Sequence, residues 1–180
     1  PDVSGHDTDP DGDPLHVTDV NLAATPITLT GTGSLALSDV SIVKLTNVDP
    51  NYVAGSVATF QVTTADNLDA GTDPQLAYIY INANGDEFLI NSSDAFDQLS
   101  ASQSLKFNFT YNISDGNGGT ASANQDVTVT GINDAPTARD DHATTDEDHS
   151  GTITLGNKIA GIPDVSGHDT DPDGDPLHVT

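Results

Sequence analysis

Eight aspartates in two identical loops carry the chemistry this chain could perform. In His6-Asp7-Thr8-Asp9-Pro10-Asp11-Gly12-Asp13-Pro14 an acid falls at every second position from Asp7 to Asp13, with Gly12 free to turn and both prolines stiffening the backbone. The same letters return with Asp169, Asp171, Asp173 and Asp175. Carboxylates converging on one turn repel each other unless a hard cation lies between them. Calcium suits such a loop, because it takes about six to eight oxygen ligands in flexible geometry. The competing reading is a solvated acidic turn, since Asp, Gly and Pro form turns without any ion.

The loop is not an EF-hand. Asp7-x-Asp9-x-Asp11-Gly12 fits the first half of that motif, but Thr18 stands where the bidentate Glu belongs. A strand-like Leu15-His16-Val17-Thr18 follows where a helix should start. A calcium loop feeding a β-strand is the better description.

Residues 1–18 recur letter for letter at 163–180, an offset of 162 residues. An identity of that length marks a tandem array with near-identical neighbours. One such period is long enough for a β-sandwich with its own core. The net charge is −24, and of 28 acids only Glu87 and Glu147 are glutamate. A merely solubilising surface draws heavily on Glu, so the aspartate bias points to turns and oxygen ligation. The four basic residues, Lys44, Lys106, Arg139 and Lys158, argue against nucleic acid or an anionic membrane as partner. With no cysteine, neither disulfides nor thiolate metal sites are available. No apolar run reaches membrane-spanning length, and any export signal is expected outside this window.

The rest of the chain reads as short strands. Leu15, Val17 and Asp19 share a face, followed by Pro26–Thr30, Ser34–Leu37 and Val40–Val48. Residues 56–64 alternate Ala58, Phe60 and Val62 against polar positions. Asn84-Gly85 between Leu76–Ala83 and Glu87–Ile90 predicts a hairpin. Asp94–Leu99 reads as one helical turn, with Phe96 and Leu99 capping a core end. Leu105, Phe107, Phe109, Tyr111 and Ile113 line one face of a strand, and Ser114–Gly119 turns into a long strand over Thr120–Thr130. Tyr78 and Tyr80 are expected in the core, and Tyr52 at the solvent. Turn signals about every 8 to 12 residues and no helix of ordinary length predict an all-β sandwich. Gly131–Pro136 breaks the pattern as a junction, and beyond it lies a short strand at Gly151–Leu155.

The segments Phe109–Thr120, Val127–Pro136, Thr144–Asp148 and Asp169–Thr180 resemble the bacterial cadherin-like repeats, including the VCBS type, of large calcium-dependent surface adhesins. They cover about a fifth of the chain. The resemblance implies an immunoglobulin- or cadherin-like β-sandwich in tandem arrays exported from Gram-negative cells, with calcium near the domain junctions. Carried onto this sequence, it implies ligand roles for Asn133 and Asp134 in the linker and for Glu147 near a module's first strand. It implies the same for Asp169, Asp171, Asp173 and Asp175 with their copies Asp7, Asp9, Asp11 and Asp13, and places Asp115 in the turn beside them. No counterpart of the mid-domain Asp-Arg-Glu of animal cadherins is present, which argues against a three-ion junction.

Residues 1–132 are thus expected to form most of one repeat, and 133–180 the junction and first part of the next. The phase of the repeat leaves the first module without its own equivalent of 135–162, so its edge is expected to be completed by a preceding repeat or a neighbouring copy. The aspartate pairs lack a substrate cleft with aromatic platforms, which sets aside a glycosidase. Six histidines reduce to four unique positions flanking the acidic loops, which sets aside zinc. Two functions remain: a calcium-rigidified spacer in an extracellular adhesin or fibre, touching identical repeats and another cell surface, and a calcium-dependent lectin for acidic polysaccharide.

Overall fold

The computed structural model describes residues 7–65, 75–91, 95–138, 147 and 169–177. Seven strands form two antiparallel sheets: β1 (His16–Thr30), β6 (Ser104–Ser114) and β7 (Thr120–Thr130) in the order β1-β6-β7, and β2 (Val40–Lys44), β3 (Ala58–Thr64), β4 (Gln75–Ile81) and β5 (Glu87–Asn91) in chain order. The all-β expectation holds, and the sheets face each other as an Ig-like sandwich. Its core follows from period-two alternation. Leu105, Phe107, Phe109, Tyr111 and Ile113 of β6 meet Ala58, Phe60 and Val62 of β3 and Ala77, Ile79 and Ile81 of β4, all of them buried. Phe60 and Phe109 touch across the sheets with ring centroids 4.7 Å apart. Leu99 is buried, and Phe96 packs on the core beside Phe107, as their spacing suggested.

The first strand departs from its sequence pattern. Leu15–Val20 and Pro26–Thr30 belong to one long strand rather than two, because β1 pairs with β6 from His16↔Ser114 to Thr30↔Ser104. The register slips between Val17 and Asp19, which turns Asp19 out of the face it was expected to share and buries Val20 instead. A second slip separates Leu22 from Ile27. Pro26, which has no N–H for a ladder, sits inside it. The Asn108 side chain donates to the Thr25 carbonyl there at 3.0 Å.

Other expectations are corrected. Ser34–Leu37 is not a strand: Leu35 plugs the core and a 3-10 turn follows at Leu37–Asp39. The described part of Asp94–Leu99 is a non-helical turn, because its polar groups bond outward to the sandwich. Gln98 donates to the Ala65 carbonyl, and Thr64 to that of Ala95. Tyr78 and Tyr80 lie outside the core: Ala77, Ile79 and Ile81 take the inner face of β4, and Tyr80 stacks on Phe88 across the outer face. Tyr52 is half-buried and donates to the Ser56 carbonyl at 2.9 Å, closing its own loop. The Asn84-Gly85 hairpin and the Thr120–Thr130 strand form as expected. The predicted strand Gly151–Leu155 lies outside the described residues.

Polar groups tie the sandwich along both long sides. On one, Lys44 of β2 reaches Asp19 (2.8 Å) and Asn21 (3.1 Å) of β1, and the Lys44 contact, followed by that of Asn21, holds the Asp19 carboxyl below its ordinary value. On the other, Glu87 of β5 hydrogen-bonds Gln125 of β7 while its Oε1 is buried without a partner. Burial pushes the Glu87 carboxyl up from 4.5 to about 7, against the lowering effect of Gln125.

The folded module keeps the Glu87 proton to about pH 7 while the unfolded chain releases it near 4.5. Between those values the native state binds more protons, so this residue's contribution to stability declines as pH rises and its loss is complete above about 7. Melting curves in chelator should show Glu87→Gln matching the parent at pH 4 and melting higher at pH 8. Parallel curves for the two proteins across that range would refute the assignment.

Candidate metal centre in the second acidic loop

The two copies of the acidic loop lie at opposite ends of the sandwich. The first meets the β6–β7 turn, and the second meets the segment that leaves β7. Between these ends run the eleven residues of β6, a span of about 35 Å at the usual rise per strand residue.

Sequence dictates the same internal turn in both copies. Asp9 Oδ1 accepts from the backbone N–H of Asp11 (2.8 Å) and of Asp13 (3.2 Å), and the Gly12 N–H reaches the Asp9 carbonyl at 3.2 Å. Asp171 Oδ1 accepts from Asp173 (3.0 Å) and Asp175 (3.1 Å), and the Gly174 N–H reaches the Asp171 carbonyl at 3.0 Å. One carboxylate thus folds each turn and leaves its neighbours free to point elsewhere.

Where they point differs. In the first copy the carboxylates are drawn apart by the module's own side chains. Tyr111 Oη donates to Asp7 at 2.9 Å, and Asn117 Nδ2 to Asp13 Oδ2 at 2.8 Å. Burial, and then the Asp7 carboxylate beside it, push the Tyr111 hydroxyl up to about 12. Asp115 organises its own turn, accepting from the N–H of Asn117 (2.7 Å) and of Gly119 (2.9 Å). Asp11 is exposed.

In the second copy Asp171, Asp173 and Asp175 each offer an oxygen within 4.8 Å of the others, the one such group among the described residues. Asp171 is 8% and Asp173 2% exposed. Asp173 Oδ2 accepts from the Asp134 N–H at 2.7 Å, while its Oδ1 is buried with no hydrogen-bond partner. A buried carboxylate oxygen without a donor is expensive unless a cation meets it. The donor set is all oxygen, which is what calcium takes and what softer metals avoid.

The surface beneath this loop belongs to the sandwich. Gln103 donates to the Leu35 carbonyl at 2.8 Å and accepts through its own carbonyl from the Gly131 N–H at 3.0 Å. Ser34 Oγ donates to the Gln98 carbonyl at 3.2 Å. Gly131 leaves β7 so close to the Leu99 carbonyl that a Cβ would stand 2.0 Å from it, so only glycine permits this exit. Thr137 and Thr170 then exchange main-chain hydrogen bonds at 2.7 and 3.0 Å, seating the second loop.

The remaining predicted ligands stand apart from the carboxylate group. Asn133 is exposed and donates to the Asp134 carbonyl at 2.8 Å; Asp134 meets the group through its backbone; Glu147 is exposed. Asp169 flanks the group without belonging to it. Sequence reasoning missed Tyr111, Asn117 and Ser34. Only Asn117, inside an Asp-Gly-Asn-Gly turn, carried a local signal; the other two become neighbours of the loops through tertiary packing.

Residues 133–180 match a family model described as a bacterial Ig domain. That segment, which includes the second acidic loop, is therefore similar to a bacterial Ig-like repeat, a class broader than the cadherin-like type its motifs resemble. No curated protein and no solved structure matches the chain. No helix among the described residues is long and apolar enough to cross a membrane.

Proposed function

We propose that this chain is a non-enzymatic, calcium-rigidified repeat of a long extracellular bacterial adhesin or fibre. The observation that supports the reading is the orphaned, buried Asp173 oxygen beside Asp171 and Asp175, in the second copy of the acidic loop. Calcium held there would neutralise a carboxylate group that otherwise repels itself. It binds the folded junction and not the flexible chain, so it stabilises by mass action. Extracellular calcium is about millimolar, matched to module affinities of about 10⁻⁴ to 10⁻³ M. Cell-surface or biofilm adhesion would then rest on rod-like reach rather than on catalysis.

The test is thermal unfolding of the 180-residue chain with calcium titrated from chelator to about 10 mM, alongside small-angle scattering. A saturable rise in melting temperature, with the tail drawn against the module, is expected. Identical melting and scattering in chelator and calcium would make the loops solvated turns and remove the reading.

A further inference from the structure

Two copies of one sequence in two surroundings disclose which atoms each surrounding uses. The first copy binds its own module through Asp7, held by Tyr111, and Asp13, held by Asn117. The second copy binds the end of the preceding module through other positions. Thr170 pairs with Thr137, Asp173 accepts from the Asp134 N–H, and Gly174 lies so near Ser34 that an added Cβ would come within 2.8 Å of the serine Cβ. The counterparts of those three residues in the first copy are Thr8, Asp11 and Gly12. All three are exposed, and a Cβ at Gly12 would meet nothing within 4 Å. Thr170, Asp173 and Gly174 make these contacts at positions that do not anchor the first copy, and the turn that displays them has the same internal hydrogen bonds in both copies.

We propose that the acidic loop is a two-faced coupling element, and that the Thr8/Asp11/Gly12 face is the docking surface for the Ser34/Asp134/Thr137 end of a second copy of this chain. Asp7 and Asp13 keep the loop on its own module while that face is engaged, so both contacts form at once. The interface is head-to-tail, and heterologous contacts of this kind build rows rather than closed pairs. Within this chain the second loop occupies the acceptor end in cis and so caps it. The inference rests on the tandem-repeat reading but not on any bound ion.

The test uses the full chain. Gly174→Val places a branched side chain against Ser34 at a backbone φ of +70°, which undocks the second loop without touching the sandwich core. The acceptor end is then open to the first loop of another molecule. Sedimentation equilibrium from about 10 µM to 1 mM should show a monomeric parent. For Gly174→Val the weight-average mass should rise at least twofold with concentration. Gly12→Val combined with Gly174→Val disables both loops and should restore the monomer. Amide exchange at Asp134 gives a second readout: protected in the parent, unprotected in dilute Gly174→Val, protected again as that variant is concentrated, and unprotected throughout in the double variant.

All proteins are measured in chelator and in millimolar calcium. Association of the single variant alone, in either condition, supports the docking surface; a calcium requirement bears only on the ion. If Gly174→Val stays monomeric in both conditions with its Asp134 amide unprotected, the proposal is overturned. It is equally overturned if the double variant associates as strongly as the single one, because the contact would then lie elsewhere.

Discussion

Asp173→Asn should change the sign of its effect on stability when calcium is added. In chelator the parent buries a carboxylate oxygen that no donor meets. The amide removes that charge at nearly constant shape, so the variant should melt at or above the parent. In calcium the order should reverse, because an amide oxygen offers the ion no charge. With an affinity of about 10⁻⁴ M and calcium at about 1 mM, one site is worth about 1.4 kcal/mol, and that increment should vanish in the variant. Melting temperatures of both proteins in both conditions decide the matter. A variant destabilised equally with and without calcium would show that Asp173 serves only as the hydrogen-bond acceptor for the Asp134 N–H.

Phe109→Ala should cost about 3–5 kcal/mol, the range for truncating a buried aromatic. Phe109 is fully buried, lies in the central strand of its sheet and touches Phe60 of the opposite sheet. The hole therefore opens between the sheets and cannot be closed by shifting a surface loop. A domain of this size has about 5–15 kcal/mol in total, so the variant should melt about 10 °C or more below the parent. Calcium should not rescue it, since the loss lies far from the junction. Chemical denaturation gives the size directly, and a shift under about 1 kcal/mol would mean that the site collapses around the smaller side chain.

Much of the architecture was legible because strands with one buried face write it in alternation. Leu105 to Ile113 and Ala58 to Val62 could be assigned to the core from spacing alone, and Asn84-Gly85 marked its hairpin. Alternation tells which residues share a face but not which face is inward. In β4, Tyr78 and Tyr80 outweigh Ala77, Ile79 and Ile81 in size, yet the smaller set fits against the Phe60–Phe109 pair, and the tyrosines are left outside. Bulges erase the period, which is why alternation alone groups Asp19 with Val17.

The site was legible as chemistry and illegible as geometry. Identical letters predicted identical roles for Asp11 and Asp173. One is exposed and the other almost fully buried, because burial is conferred by Asp134, Ser34 and Thr137, remote from both in the chain. Tyr111 reads as a core aromatic, and it is one. Its hydroxyl reaches Asp7 only because β6 ends beside that loop.

The slipped register around Pro26 bears on how such a chain survives beside copies of itself. β1 forms one border of its sheet, and an unbroken border of free N–H and carbonyl groups is a template for any passing strand. In the proposed tandem array, near-identical neighbours would make that hazard acute, because the wrong partner would have the right sequence and lie close at hand. Between Leu22 and Ile27 the ladder is interrupted, and a proline there has no N–H to offer an intruder. In the proposed fibre, units joined end to end would thus meet along β1 a border that is broken at its middle, which disfavours lateral fusion at that edge.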